Sequence, residues 1–236
     1  MTRTQSALVR LLRPTLIDRV QRNHLQNDAQ FRRRRVVVAT VTVLGAILLG
    51  ISLSVRPADP AFYPLTLGLA ALWAVGGFAS GPLHLGWADS TTGPRRPIVV
   101  PVLIGAAVGV VFVVGSLVVR EVDPLRRVVE SVLAHARFGS LPLVALVTLL
   151  NGIAEEVFFR GALFAAIGAR RPVLISTVIY GLATVATANY MLVFSALLLG
   201  VVLGLERRAT GGVLAPILTH VTWSAIMLFV LPPLFG

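Results

Sequence analysis

Residues 97–119 read PIVVPVLIGAAVGVVFVVGSLVV, a run of apolar and small residues without a single charged side chain. A helix rises about 1.5 Å per residue, so a run of this length crosses the roughly 30 Å hydrocarbon core of a bilayer. A second uncharged run extends over residues 36–55. Two such runs predict helices that cross a membrane, and they argue against an ordinary soluble domain.

The composition extends this prediction to the rest of the chain. Hydrophobic residues make up 56% of the 236 residues and charged residues 13%, whereas a soluble domain usually carries about a quarter charged residues. We predict an all-α fold, a polytopic bundle of about seven transmembrane helices with a basic N-terminal tail. The predicted spans are residues 36–55, 62–83, 97–119, 141–167, 172–188, 191–205 and 212–231.

Polar segments divide the chain into three parts. In the basic tail, residues 1–35, leucines recur at helical spacing between arginines, which predicts either an amphipathic helix on an anionic membrane surface or a loosely ordered tail. Residues 36–140 hold three spans and, at 123–138, a segment that alternates charged and apolar residues and that we expect at the interface. Residues 141–236 hold the remaining spans.

The arginines predict how the bundle is oriented. The net charge is +11, and arginine pairs or clusters at 32–35, 95–96, 170–171 and 207–208 fall at one end of the predicted bundle. The positive-inside rule places that end, and the N-terminus, in the cytoplasm. Residues 120–138 disagree with the rule, although their carboxylates offset most of their arginines. The expected partner is the lipid bilayer and not nucleic acid, since no soluble fold remains to present a basic face.

Residues 149–164, LLNGIAEEVFFRGALF, place ionisable side chains inside a predicted span. Such groups are costly in a bilayer and are rarely kept without a partner or a function. Glu156 and Arg160 are four residues apart, so they share a helix face and can pair. Glu155 is turned about 100° away and has no partner on its own helix. A carboxylate so placed can act as a general base or acid, but a purely structural ion cluster explains the same spacing.

His220 is the other unexpected residue, since it lies within the last predicted span. It lies about 12 Å beyond the arginine-rich start of that span, and Glu156 about 16 Å before the corresponding end of its own. The two side chains can therefore meet, and we expect them in a water-filled cavity below the cytoplasmic face. A hydrogen-bonded structural histidine is one alternative. A proton relay in a transporter or channel is another.

Three segments resemble the CPBP family of intramembrane endopeptidases, the CAAX-processing and bacteriocin-processing proteases, also called the Abi family. Residues 155–161, EEVFFRG, resemble its EExxxR motif. Residues 176–184, STVIYGLAT, resemble a second motif, an aromatic residue, three residues and a histidine. Residues 200–220 resemble the approach to a third motif, a histidine followed four residues later by asparagine. The resemblance covers roughly residues 141–231.

The resemblance implies a function and a set of roles. It implies an endopeptidase, expected in a bacterial plasma membrane, that hydrolyses a peptide bond of a membrane-associated peptide or protein. Glu155 would activate the water, Glu156 and Arg160 would support it, and His220 would polarise the scissile carbonyl or the water. The alternative is a catalytically inactive relative, acting as a membrane scaffold or immunity-type protein.

Two positions depart from the family pattern. Thr184 stands at the histidine of the second motif and Ser224 at the asparagine of the third, while Tyr180 replaces phenylalanine, which we take as a mild change. A zinc site usually has three protein ligands and a water. Thr184 removes one ligand, so Glu155 and His220 remain only weak candidates and we expect no metal and no other cofactor. The hydroxyl of Thr184 or that of Ser224 would instead donate a hydrogen bond to an oxyanion.

Overall fold

The computed structural model of the chain describes residues 3–21, 25–89 and 93–236, so the predicted tail and the polar loop at 84–96 are described only in part. Within these ranges the regular structure is helical, apart from one isolated antiparallel bridge between Ala88 and Arg95. The helices are α1 (Arg3–Leu16), α2 (Asp28–Ser54), α3 (Phe62–Ala79), α4 (Val99–Val119), α5 (Asp123–Phe138), α6 (Leu141–Ile167), α7 (Pro172–Val185), α8 (Tyr190–Thr210) and α9 (Leu214–Leu234).

Within the described ranges, six helices are long and apolar enough to cross a bilayer, namely α2, α3, α4, α6, α8 and α9. Helix α7 is apolar but has only 14 residues, and it connects α6 to α8 through the bundle. The prediction of an all-α polytopic membrane bundle is confirmed. The chain is an integral membrane protein.

Helices α2 and α8 extend by five residues or more beyond their predicted spans. Helix α2 begins at Asp28 rather than at residue 36, because Asn27 and Gln30 form a reciprocal capping box that starts the helix before the arginine cluster. Helix α8 ends at Thr210 rather than at residue 205, because Gly211 adopts the left-handed conformation that terminates helices. Charged residues that hydropathy assigns to loops therefore lie within helices.

The arginine-rich side of the bundle is the end where the clusters at 32–35, 95–96, 170–171 and 207–208 lie. On this side α1 packs against α8, and the backbone N–H of Val20 donates a hydrogen bond to the carbonyl of Ala209. Helix α5 lies at the opposite end, in the connection from α4 to α6. The tail is therefore partly helical and attached to the bundle.

Helices α2 and α3 approach each other closely through two glycines. Trp73 on α3, which is 1% exposed, lies so close to Gly45 on α2 that a Cβ at residue 45 would overlap its ring. In the reverse direction, Gly76 on α3 makes room for Val41 on α2. The two helices therefore form one rigid face of the bundle.

Trp73 connects this face to α6. Its ring centroid lies 4.7 Å from that of Phe158 and 5.0 Å from that of Phe159. Phe159 in turn contacts the ring of Tyr180 on α7 at 4.6 Å. These aromatic contacts hold the part of α6 that follows the two glutamates.

That part of α6 is not an α-helix. Residues Glu156–Leu163 form a π-helical segment, in which N–H groups bond to carbonyls five residues back, and all eight are buried. Such segments are rare and are frequently found at functional sites. The change in winding begins directly after Glu155, so it sets the direction of Glu156 and Arg160 relative to the rest of α6.

We expect Gly45→Ala to destabilise the protein, because the added methyl group overlaps the buried Trp73 ring. Overpacking of this kind costs about 1–3 kcal/mol. The matched control is Gly68→Ala on α3, where an added Cβ meets nothing within 4 Å. Thermal unfolding in detergent should show a lower midpoint for Gly45→Ala alone. Equal midpoints for the two variants would show that the α2–α3 contact is looser than described.

Candidate active site

Glu156 is the centre of a buried polar cluster. Its side chain is fully buried, and its Oε1 accepts a hydrogen bond from Arg160 Nη1 at 2.9 Å. The same oxygen lies 2.8 Å from Nδ1 of His220 on α9. The structure therefore brings together the predicted pair on α6 and the histidine of the last span, as expected from their depths.

The Glu156 contact also sets the tautomer of His220. A carboxylate that is paired with a guanidinium accepts hydrogen bonds, so we assign the shared proton to Nδ1. Nε2 of His220 then carries no proton and can accept a hydrogen bond from a molecule in the cavity. The ring lies beside Gly152, where a Cβ would come within 3.6 Å of Cδ2, and its centroid is 5.9 Å from that of Trp223.

Glu155 finds its partner on another helix. The hydroxyl of Tyr180 on α7 donates a hydrogen bond to Glu155 Oε2 at 2.5 Å. The Tyr180 ring also lies 4.7 Å from the guanidinium carbon of Arg160, which is cation–π distance. Tyrosine at this position is therefore not the mild change that the sequence indicated, because a phenylalanine could not bind the carboxylate.

The two hydroxyl residues at the departing positions differ in their surroundings. Thr184 donates its hydroxyl proton to the carbonyl of Tyr180, one turn earlier on α7, at 2.9 Å. Because this bond occupies the hydroxyl proton of Thr184, that proton is not available to an oxyanion. Ser224 is 5% exposed and lies one turn beyond His220 on α9, where it lines the cavity beside the site.

A cavity of about 240 Å³ adjoins the cluster, and its lining includes Glu155, Tyr180, Thr184, His220 and Ser224. Most of its remaining wall is apolar. From this level it extends to Leu53, Phe62, Val132, Thr187 and Leu192, which lie toward the α5 end of the bundle.

The expected position of the cavity, below the arginine-rich face, is therefore wrong. On that side the cluster is closed by a packed layer that includes Leu163, Leu203 and Ala209, each at most 4% exposed. Counting residues along a helix predicts how deep the site lies in the membrane. It does not predict at which end of the bundle the helices leave a cavity. This cavity reaches the site from the opposite end.

Two further buried residues were missed by the sequence analysis. Glu206 on α8 is fully buried, and its Oε1 accepts a hydrogen bond from the hydroxyl of Thr219, the neighbour of His220, at 2.7 Å. Arg207 donates from Nε to the carbonyl of Arg160 at 2.6 Å, inside the π-helical segment. The pair Gly211–Gly212 was the missed signal, because a glycine C-cap there places both residues within a helix.

The arginine-rich side below this layer is electrostatically positive. Burial lowers the pKa of His84, which lies in the loop after α3, and the positive charges of Arg207 and Arg34 lower it further. The imidazole is thus disfavoured in its charged form. The lowered pKa agrees with a positive electrostatic potential on this side.

Residues 137–226 match the family described as type II CAAX prenyl endopeptidase Rce1-like. This segment, 90 of the 236 residues, is similar to the CAAX protease family. It begins in α5, ends in α9 and contains every residue of the polar cluster. No curated protein and no solved structure matches the chain.

The side chains of this segment do not fit a zinc site. Among the described residues, no group of three histidine, cysteine, aspartate or glutamate side chains converges on one point. Glu156 Oε1 is bound to Arg160 and His220, and Glu155 Oε2 is bound to Tyr180. Glu155 Oε1, Glu156 Oε2 and His220 Nε2 are not bound in this way, but these atoms do not form the convergent group of three protein ligands that zinc usually has.

Proposed function

We propose that the chain is an intramembrane endopeptidase that hydrolyses a peptide bond of a membrane-associated peptide or protein. The observation that supports this best is the contact of His220 with Glu156, because it joins two helices beside Glu155 at the wall of a cavity. If Glu156 and Arg160 formed only a structural ion pair on α6, they would not require an imidazole from α9. The family match supports the same class of reaction.

In the proposed reaction Glu155 is the general base. Its carboxylate takes a proton from a water molecule while the water oxygen attacks the carbonyl carbon of the scissile bond. The proton then passes from Glu155 to the leaving nitrogen, and the carbon–nitrogen bond breaks to give a carboxylic acid and an amine. The hydroxyl of Tyr180, bound to Oε2, holds the carboxylate so that Oε1 is the oxygen that takes the proton.

His220 orients the water in this scheme. Glu156, neutralised by Arg160, holds the imidazole through Nδ1, so that Nε2 accepts a hydrogen bond from the second proton of the water. A carboxylate that fixes the tautomer of a histidine plays the same part in other hydrolases. Ser224 is the hydroxyl that we assign to the developing oxyanion, since the proton of Thr184 is held by its own helix.

We expect Glu155→Gln to lower the rate of cleavage by about 10²–10⁴-fold, the contribution of a positioned general base. His220→Gln should lower it as well, because the side chain that orients the water is lost. The assay follows quenched fluorescent peptides, drawn from a library anchored in phospholipid vesicles with the purified protein. The matched control is Ser195→Ala, since Ser195 lines the same cavity but donates to the carbonyl of Met191 on its own helix.

The control should cleave at the wild-type rate. Full cleavage by Glu155→Gln would remove Glu155 from the mechanism. We also propose that no metal takes part, so a chelator should leave the wild-type rate unchanged; loss of cleavage in the chelator, restored by zinc, would contradict this.

A catalytically inactive relative is the second candidate. The observation that favours it is the Thr184 hydroxyl, which stands at the family's histidine and is bonded to its own helix. If the wild type cleaves no peptide of the library, the double change Thr184→His with Ser224→Asn, which rebuilds the family pattern, should create cleavage. Cleavage by the wild type would exclude this candidate.

The arginine-rich side is proposed to face the cytoplasm of a bacterium, by the positive-inside rule. The cavity would then open toward the extracytoplasmic half of the membrane. Because the chain contains no cysteine, a single introduced cysteine is the one thiol that a maleimide can label. Glu121→Cys, beyond α4, should react with a membrane-impermeant maleimide in intact cells, whereas Arg170→Cys, on the arginine-rich side, should react only after permeabilisation. The reverse pattern would invert the topology.

A further inference from the structure

Arg207 on α8 is a buried arginine that the proposed reaction does not use. Its side chain is 5% exposed, and its Nε donates to the backbone carbonyl of Arg160 at 2.6 Å. That carbonyl belongs to the π-helical segment Glu156–Leu163 of α6, which carries two polar residues of the candidate site. The side chain therefore extends from one helix to the backbone of another, beside the reactive groups.

Three features stabilise a guanidinium at this position. Arg207 lies in the last turn of α8, where the partial negative charge of the helix end favours a cation. The ring centroid of Phe164 lies 5.3 Å from its guanidinium carbon, which is cation–π distance. The carbonyl of Arg160 accepts a charge-assisted hydrogen bond, which is stronger than a bond between neutral groups. A strong donor is therefore held inside the bundle.

The end of α8 that carries Arg207 is fixed by other parts of the chain. Gly211 ends the helix, and its N–H donates to the carbonyl of Arg207. The last two carbonyls of the helix accept hydrogen bonds from the N–H groups of Val20 and Trp87. These donors lie in the tail and in the loop after α3, outside the segment that matches the family. Arg207 therefore extends toward α6 from a fixed point.

The contact of Arg207 with α6 is a physical cause for the winding of Glu156–Leu163. Irregularities in a helix occur at proline, at glycine or serine pairs, or where a side chain or a water molecule inserts into the ladder of backbone hydrogen bonds. This segment contains no proline and a single glycine, Gly161. A side-chain donor from another helix does reach it, at the carbonyl of Arg160.

The backbone hydrogen bonds around this carbonyl agree with such an insertion. In an α-helix the N–H of Phe164 would donate to the carbonyl four residues back, which is that of Arg160. It donates instead to the carbonyls of Phe159 and Gly161, which lie on either side of Arg160 in the sequence. The carbonyl between them is the one that Arg207 binds. The guanidinium thus occupies the acceptor that an α-helical turn would use.

The winding of α6 determines where its two adjacent glutamates point. Glu155 is the last α-helical residue, and it binds Tyr180 on α7. Glu156 is the first π-helical residue, and it binds His220 on α9. A π-helical turn takes up one more residue than an α-helical turn, so a return to α winding would rotate the residues that follow by about 100°. The side chains before and after the change in winding could then not both keep their partners.

We infer that Arg207 is a positioning residue of the candidate active site. By binding the carbonyl of Arg160 it holds α6 in π-helical winding, and this winding directs the two adjacent glutamates to different helices. The effect of the winding on cleavage rests on the proposed endopeptidase function, whereas the effect of Arg207 on the winding does not. The tail and the loop after α3 also contribute to the site, because they fix the end of α8 from which Arg207 extends.

The test variant is Arg207→Met, which keeps an unbranched side chain but removes the donor. Arg207→Lys is the second variant, since it keeps a positive charge but has a methylene group where arginine has Nε. The matched control is Arg35→Met. Arg35 on α2 also donates from Nε to a carbonyl of α6, that of Ala166 at 3.1 Å, but this carbonyl lies beyond the π-helical segment.

The winding is followed as the distance between two spin labels, one on each side of the π-helical segment. The chain contains no cysteine, so Leu146→Cys and Arg170→Cys supply the two labelled sites in every protein. Both Arg207 variants should change the distance between the labels, because the end of α6 rotates, and Arg35→Met should keep the wild-type distance. If Arg207→Met does not fold, Arg207→Lys decides alone. A wild-type distance in a folded Arg207 variant overturns the inference, as does an equal change in Arg35→Met.

Cleavage of the quenched fluorescent peptides by the same variants connects the winding to the reaction. Arg207→Met should lower kcat by about 10²-fold, the effect that a displacement of about 1 Å can have on a catalytic site. It should leave KM near the wild-type value, because Arg207 is not among the residues that line the cavity at the site. A changed distance with an unchanged kcat overturns the positioning role. If the wild type cleaves no peptide, the proposed function is contradicted, and the spin-label distances still decide whether Arg207 sets the winding.

Discussion

One carboxylate oxygen organises the buried centre of this protein. Glu156 Oε1 binds a guanidinium of its own helix and an imidazole from α9, in a region from which water is largely excluded. Loss of one member of a buried ion pair leaves an uncompensated charge and costs about 3–5 kcal/mol. The shared oxygen therefore holds α6 and α9 at one distance and gives His220 a fixed tautomer.

Much of the fold follows from patterns that a single sequence displays. Uncharged runs give the spans, and four-residue spacing gives the pair of Glu156 with Arg160, because both depend only on neighbours along the chain. The π-helical winding of Glu156–Leu163 does not follow, since that segment packs against helices distant in the sequence, above all α3 and α9. The bond between Tyr180 and Glu155 joins two helices, and no spacing rule relates them. The direction of the cavity was wrong for the same reason.

The departures from the family motifs are partly offset within the same cluster. Tyr180, in place of phenylalanine, donates a hydrogen bond to Glu155. One turn later on the same helix, Thr184 stands in place of the family's histidine and bonds to its own backbone. Glu206 and Arg207 add a second polar layer on the closed side, one beside His220 and one on the backbone of the π-helical segment. The site thus differs from the family pattern at the motif positions and also in the residues that surround them.

Helix α7 has a consequence for the surrounding lipid. Its 14 residues measure about 21 Å along the axis, well short of a hydrocarbon core of about 30 Å. A bilayer accommodates a short span by thinning around it, at a cost of fractions of a kcal/mol per Å. Tyr180 lies on this helix, so such thinning would bring the lipid headgroups nearer to the level of the carboxylates. The length of the lipid acyl chains would then determine how near bulk water comes to the reactive groups. In a thick, sterol-rich membrane the mismatch with this short helix would be larger.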